Sequence, residues 1–408
     1  MSAPGPATST HLPTSADRRA RVAGAVAYAV QGVCFAALVT RIPALKDRFG
    51  LSEASLALLL AIVPLVAGVG SVAAGAVAAR IGASSVLRVM GPVVPLAIAA
   101  VGFCQSIPAL VVALVVVGLG LGSVDAAMNT HGVGVQARYG RSVMASFYAV
   151  FSLAGIVGAG LSVLAADSTL SLGFFFSGIA IVVVAAQLIA GPSLLKGLVE
   201  PDGTVDEASP EHPAAAPVRV PWRPIVLIGL ALTCVYIADS AASNWSAVYL
   251  ADGLGSTESV AALAYLVYAL TTLVARVVVD RGVMRRGPVP LVRAGALLAA
   301  AAAVMVALAP TPALGLLGFA VLGVGIAPVI PLAFSAAASH DPGGTGVAVS
   351  RVNVFNYAGF VLGAPLVGLV AEASSLRWAF AVLVPLLLAA AVLAPHFAPE
   401  RREGEVSA

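Results

Sequence analysis

The sequence predicts an all-α membrane protein whose twelve transmembrane helices form two six-helix bundles. Three observations predict it. First, 60% of the 408 residues are hydrophobic and only 10% are charged, where a soluble globular chain carries about 25% charged residues. Membrane β-barrel strands alternate apolar with polar residues and would not raise hydropathy this far. Second, a bilayer core of about 30 Å needs about 20 helical residues, and apolar runs of that length occur twelve times. Third, the second six runs repeat features of the first six.

In order, the runs lie near residues 22–41, 55–79, 84–105, 109–136, 143–166, 172–195, 224–250, 258–280, 289–309, 313–338, 346–371 and 375–396. Charges or Gly and Pro bound them: Arg41 and Pro43 follow helix 1, Arg80 and Gly82 follow helix 2, and Arg138, Gly140 and Arg141 follow helix 4. Gly287 and Pro288 precede helix 9, and Pro310 and Pro312 precede helix 10, which Pro328 and Pro331 then interrupt. Residues 1–21, rich in Pro, Ser, Thr and Ala, read as a disordered cytoplasmic tail. They lack the short apolar core and small-residue cleavage site of a signal peptide. Residues 22–196 are expected to form the first bundle and 223–397 the second. The polar, proline-rich stretch 197–222 reads as a cytoplasmic linker, and 398–408 as a cytoplasmic tail.

Lysine and arginine placement sets the orientation. With the N-terminus in the cytoplasm, eighteen of the 22 basic residues fall on the cytoplasmic side. Only Arg41, Lys46, Arg48 and Arg377 remain outside. A miscounted helix would scramble that alternation, so the bias supports a multi-pass protein of the inner membrane with both termini cytoplasmic. The net charge of +3 is too small to argue for nucleic acid. Cys34, Cys104 and Cys234 all sit in apolar runs and read as buried hydrophobes, with no disulfide framework or metal spacing.

The halves repeat in parallel. Leu45, Asp47, Gly50 and Glu53 recur as Leu250, Asp252, Gly255 and Glu258, displaced by 205 residues. Phe151, Ala154 and Gly155 recur as Phe355, Ala358 and Gly359, displaced by 204. Gly118, Gly120 and Gly122 open helix 4 as Gly323 and Gly325 stud helix 10. Six helices separate the members of each pair, so both enter the membrane from the same side. Such a duplication places a cavity at the midplane between two bundles.

Ionisable residues at membrane depth are costly and are functional candidates. Asp125 in the middle of helix 4 and Asp239 in the middle of helix 7 qualify. An apolar setting disfavours the charged form of a carboxyl, so each is a candidate to take up and release a proton; the other reading is a hydrogen-bonded packing residue. Asn129 lies one turn beyond Asp125, and Ser240, Ser243 and Asn244 share the side of Asp239. Helix 11 offers Asn353, Asn356 and Tyr357 on one stripe, and helix 1 offers Tyr28 and Gln31 three apart. Amides and phenols suit a neutral polyhydroxylated substrate, with interhelical packing bonds as the alternative. Trp245 and Tyr249 stand where interfacial aromatic anchors are expected. His131, six residues beyond Asp125, falls about 120° off its face at about 100° per residue and reads as structural.

Several stretches resemble known permeases. Gly75-x-x-x-Ala79-Arg80-x-Gly82 resembles the Gly-x-x-x-Asp-Arg-x-Gly loop signature of the major facilitator superfamily, with Ala79 in place of the acid. A second copy, Arg276-x-x-x-Asp280-Arg281, retains an acid. The resemblance implies a cytoplasmic gate at Arg80, Arg276 and Asp280, and Arg276 and Asp280 are spaced for an intrahelical bond. Asp125-Ala126-Ala127-Met128-Asn129 resembles the Glu-x-Ala-Ala-Asn of the fucose permease-like branch, where the acid is implicated in proton coupling and sugar binding. Arg41-Ile42-Pro43-Ala44-Leu45 and Asn244-Trp245-Ser246-Ala247-Val248-Tyr249-Leu250 resemble a related bacterial branch, in which an acid often precedes the Trp by six, here Asp239. Fucose permeases carry a helix 1 acid before the Ile-Pro, where this chain has Leu38-Val39-Thr40. The resemblance covers about residues 22–396.

Together these readings imply a monomeric secondary transporter in membrane lipid that moves a small solute by alternating access with proton coupling through Asp125, assisted by Asp239. A sugar-like or small polar substrate is the first expectation. The alternatives are a proton-driven exporter of an apolar metabolite or drug and, remotely, a non-transporting receptor. No nucleophile-base spacing, metal-ligand cluster or P-loop appears, so no enzyme and no cofactor are expected.

Overall fold

The computed structural model describes residues 13–51, 53–166, 170–195, 198–199, 205–206, 220–341 and 344–399. Among them, twelve helices are long and apolar enough to cross a membrane. Helices 1 to 6 are Ser15–Thr40, Glu53–Ile81, Ala83–Phe103, Ile107–Tyr139, Met144–Ala166 and Leu172–Ala190. Helices 7 to 9 are Trp222–Val248, Glu258–Arg286 and Pro288–Ala307. Helix 10 comes in two pieces, Pro312–Ile326 and Val329–Ser339; helix 11 is Val347–Ala373, and helix 12 is Leu376–Ala381 with Leu383–Leu393. A short helix, Ile42–Phe49, joins helices 1 and 2.

Three expectations are corrected. Helix 1 begins at Ser15, inside the stretch 1–21 expected to be disordered. The Thr14 hydroxyl accepts from the Asp17 amide, and the Asp17 carboxylate accepts from the Thr14 amide, satisfying otherwise orphaned donors. Arg138 then pairs with Asp17 at 3.0 Å, tying this start to the end of helix 4. Helix 8 continues to Arg286, so Arg276, counted among the loop basics, lies well inside a membrane span. The linker is not featureless, because Leu198–Val199 pairs antiparallel with Val205–Asp206. The rest of the expected linker up to residue 219, residues 1–12 of the expected tail and 400–408 lie outside the described residues.

Helix 10 breaks at Ala327 and Pro328. A proline cannot donate to the preceding turn and clashes with it. Pro331 is tolerated as the third residue of the next piece, where an amide would have no intrahelical partner.

Packing repeats as the sequence does. Helix pairs 1–5, 2–4, 3–4 and 3–6 of the first bundle have counterparts 7–11, 8–10, 9–10 and 9–12 in the second. Helices 2 and 8 each contain 29 residues and start 205 apart, and each is followed by a glycine with positive φ, Gly82 at 80° and Gly287 at 77°. Without a hydrophobic drive between helices in lipid, small residues permit close packing. At Gly122 a Cβ would sit 1.8 Å from the Ala67 carbonyl oxygen of helix 2. Large apolar side chains cover the outside, with Ile189 at 80% and Leu164 and Val392 at 75% exposure. That surface suits lipid.

An even number of spans puts Ser15, Phe397 and both ends of the 197–222 segment on one face, called here the linker face. The bundles meet chiefly where helix 2 packs on helix 11 and helix 5 on helix 8.

Candidate functional site

Asp125 stands at the centre of this arrangement. Its sequence neighbours are small and apolar, so the carboxylate needs partners from other helices. The Gln31 amide of helix 1 donates to Oδ1 at 2.7 Å, and the Tyr357 hydroxyl of helix 11 donates to Oδ2. The second bond crosses from one bundle to the other. One turn on, the Asn129 side-chain oxygen accepts from Tyr28 at 2.8 Å and from Tyr148 at 2.9 Å. Its nitrogen donates to the Asp125 backbone carbonyl at 2.8 Å. Tyr28 stacks on Phe147 and Tyr148 on Phe334, which fixes both rings.

The structure thus brings together Asp125, Gln31 and Tyr357, and sets Tyr28 and Asn129 beneath them as support. Tyr28 is fully buried and Asn129 nearly so. They hold the carboxylate's helix rather than line open space.

Asp239 accepts a hydrogen bond from the Tyr268 hydroxyl of helix 8. Tyr236, three residues before Asp239 on helix 7, lies within electrostatic range of both Asp239 and Asp125. Ser243 is partly exposed and Asn244 exposed, with the Asn244 amide donating to the Ser240 carbonyl at 2.8 Å.

Asn353 and Asn356 are placed differently. Asn356 donates to the Asn353 side chain at 2.9 Å, Asn353 donates to the Ser71 hydroxyl at 3.1 Å, and Ser71 donates to the Ser350 carbonyl at 3.3 Å. This buried ladder binds helix 11 to helix 2. Trp245 and Tyr249 are likewise packing residues and not interfacial anchors. Trp245 donates to the Ala364 carbonyl, while Tyr249 is fully buried against Phe319 and Phe380. His131, read as structural, is buried with its ring nitrogen against the Ala20 carbonyl at 3.1 Å.

Near the linker face, the intrahelical bond open to Arg276 and Asp280 is not made. Asp280 instead turns to the start of helix 5, where Ser142 Oγ donates at 2.6 Å and the amides of Ala145 and Ser146 at 3.2 and 2.9 Å. A helix start presents free amides and a positive dipole end, so it favours a carboxylate. Arg276 donates to the Ser152 hydroxyl of helix 5 and lies 5.5 Å from the Tyr148 ring centre. Arg80 is exposed at the end of helix 2 and makes no side-chain bond to a described residue.

The displacement of 205 residues also resets the second signature copy. Gly75 corresponds to Asp280, Ala79 to Met284, Arg80 to Arg285 and Ser71 to Arg276. Both copies therefore lack the acid at the loop position, and Asp280 stands one turn deeper. Its counterpart Gly75 packs so tightly that a Cβ would meet Ser350 Oγ at 2.1 Å.

Tyr148, Tyr236, Tyr268, Ser71 and Ser152 were not singled out by the sequence. Tyr236 had a signal, three residues before Asp239 on the same stripe; the others join the site only through partners on other helices.

A family model described as Major Facilitator Superfamily matches residues 24–350 and 228–407. An uncharacterised transporter, y4wD of Sinorhizobium fredii, is 31% identical over 374 residues, covering 91% of this chain and 96% of its own. An uncharacterised MFS-type transporter of Yersinia pestis is 30% identical over 384 residues, covering 92% and 94%. Among solved structures, the transporter FucP in its outward conformation aligns with a TM-score of 0.76 at 17% identity, over 92% of this chain and 98% of that one. With its twelve spans, its two repeated bundles and these relatives, the chain belongs to the major facilitator superfamily.

Proposed function

We propose that the chain is a secondary active transporter that couples movement of a small polar solute to a proton carried by Asp125. The bond from Tyr357 across the bundles carries this reading. An ionised carboxylate accepts strong, charge-assisted hydrogen bonds. Protonation removes the charge that makes them strong and slackens the tie between helices 4 and 11. Proton occupancy then biases which face the cavity opens to, which is what coupling requires. Asp239, held by Tyr268 within the second bundle, assists. By the distribution of basic residues the linker face is cytoplasmic, and there Asp280, Arg276 and Arg80 form or flank the gate. Ser243, Asn244 and Gln31 contact the solute, with Asn129, Tyr28, Asn353 and Asn356 as their scaffold.

FucP of E. coli is a fucose:proton symporter and XylE a proton:xylose symporter. Their fold is shared, and proton symport is the reading they favour here. The test is Asp125→Asn in proteoliposomes. Gradient-driven accumulation should be abolished while counterflow exchange survives in part, because the amide keeps size and hydrogen bonding but releases no proton. Accumulation equal to wild type at matched protein levels would make Asp125 a packing residue.

A further inference from the structure

Arg276 is a buried cation that the proton pathway does not use. It lies ten residues inside the end of helix 8 and is only 7% exposed. Among the described residues its one hydrogen bond goes to the neutral Ser152 hydroxyl, and its buried Nε has no partner there. Among the described residues no carboxylate lies within ion-pair distance of it. Asp280, one turn on, is committed to helix 5; Asp239 is within electrostatic range but bound by Tyr268. Leaving a buried charge unpaired costs several kcal/mol.

The bond of Arg276 to Ser152 and its place near the Tyr148 ring join helix 8 to helix 5, but such a joint does not need an arginine. The counterpart of Arg276 in the first bundle is Ser71, whose hydroxyl bonds helix 2 to helix 11 beside the closely packed Gly75. A serine suffices for that joint. What the arginine adds is a planar fork of donors that matches a carboxylate. Its electrostatic surroundings include Asp239, which is partly exposed, and Tyr265, which is exposed. The phenols of Tyr236, Tyr265 and Tyr268 lie within electrostatic range of Arg276, and those of Tyr236 and Tyr265 can offer hydrogen bonds to hydroxyls.

We infer that Arg276 is an anion-binding residue of the transport site and that the solute is a small hydroxylated monocarboxylate. The inference rests on the transporter reading and names its substrate class. A single negative charge fits, because one arginine stands within electrostatic range of Asp239 in a site whose proposed proton carrier is Asp125, and a dianion would be repelled by both. The solute's carboxylate takes the free Nε edge of the guanidinium, and its hydroxyls take the phenols. The proton travels on the protein's own carboxyl.

The experiment follows thermal unfolding of purified wild type, Arg276→Gln and Arg276→Lys. The probes are gluconate, glucuronate, quinate and lactate, each beside a neutral partner: glucitol, methyl glucuronate, methyl quinate and lactamide. A ligand that binds only the folded state raises its midpoint. At least one acid should raise the wild-type midpoint by several degrees where its neutral partner does not. Arg276→Gln should lose that shift and Arg276→Lys keep part of it; if Arg276→Gln does not fold, Ser152→Ala, which leaves the guanidinium in place, should keep the shift. The assignment is overturned if no acid acts, if the neutral partner acts equally, or if Arg276→Gln responds like wild type. Counterflow in proteoliposomes separates the two readings. A neutral polyol exchanging through Arg276→Gln would sink the anion site and leave transport standing. An acid that binds through Arg276 yet never exchanges would do the reverse.

Discussion

Asp125 takes its role from residues that its own helix does not contain. Spacing along helix 4 placed it at membrane depth beside Asn129, and spacing along helices 1 and 11 marked Gln31 and Tyr357. That Gln31 and Tyr357 converge on Asp125 is a tertiary fact. Tyr268 and Tyr148 were invisible for the same reason, since periodicity describes one helix at a time and their partners lie on others. The Tyr357 bond yields a direct expectation. Tyr357→Phe deletes a hydrogen bond to a charged group, worth about 1.5–3 kcal/mol. Transport should fall at least tenfold while the purified protein keeps its helical content, as read by circular dichroism. Undiminished uptake would show that the bundles are not held through Asp125.

Among the elements, the twelve helices were legible because an apolar run of about 20 residues has few other uses. Register between the halves was less so. Matching on Asp-Arg aligned Arg276 with Gly75, whereas the helix ends and the two positive-φ glycines align Asp280 with it. Charged residues caught the eye, but the backbone geometry that fixes register is carried by Gly82 and Gly287. The crossing of helices 2 and 4 depends on a missing side chain. At Gly122 any Cβ meets the Ala67 carbonyl, which is backbone and cannot swing away. Gly122→Val should therefore lower stability by about 1–3 kcal/mol, the usual cost of overpacking. Fluorescence-detected melting in detergent would read this as a drop in midpoint, and an unchanged midpoint would mean that the helices part freely there.

For the whole molecule, orientation comes from charge and the interior from packing. Reporter fusions after residue 210 should report cytoplasm, and fusions after Asp252 should report the outside. The opposite result at either point would invert the reading of the linker face. Asp280→Ala removes three hydrogen bonds between the bundles on that face. In a background with Cys34, Cys104 and Cys234 replaced, a Ser335→Cys probe beside Gln136 should then react with maleimide about tenfold faster from that face. An equal rate would show that the bond does not restrain opening.

The two joints between the bundles are counterparts by descent but not in kind. At helices 2 and 11, Gly75 lies flush against Ser350 with neutral hydrogen bonds beside it, and such a contact can pivot while its surfaces stay in touch. At helices 5 and 8, a carboxylate sits on a helix end, and that tie is lost once the parts separate. The first joint is therefore a hinge and the second a latch. On the transporter reading proposed above, the linker face should open as a wedge, widest along helices 5 and 8, the side where Arg276 stands.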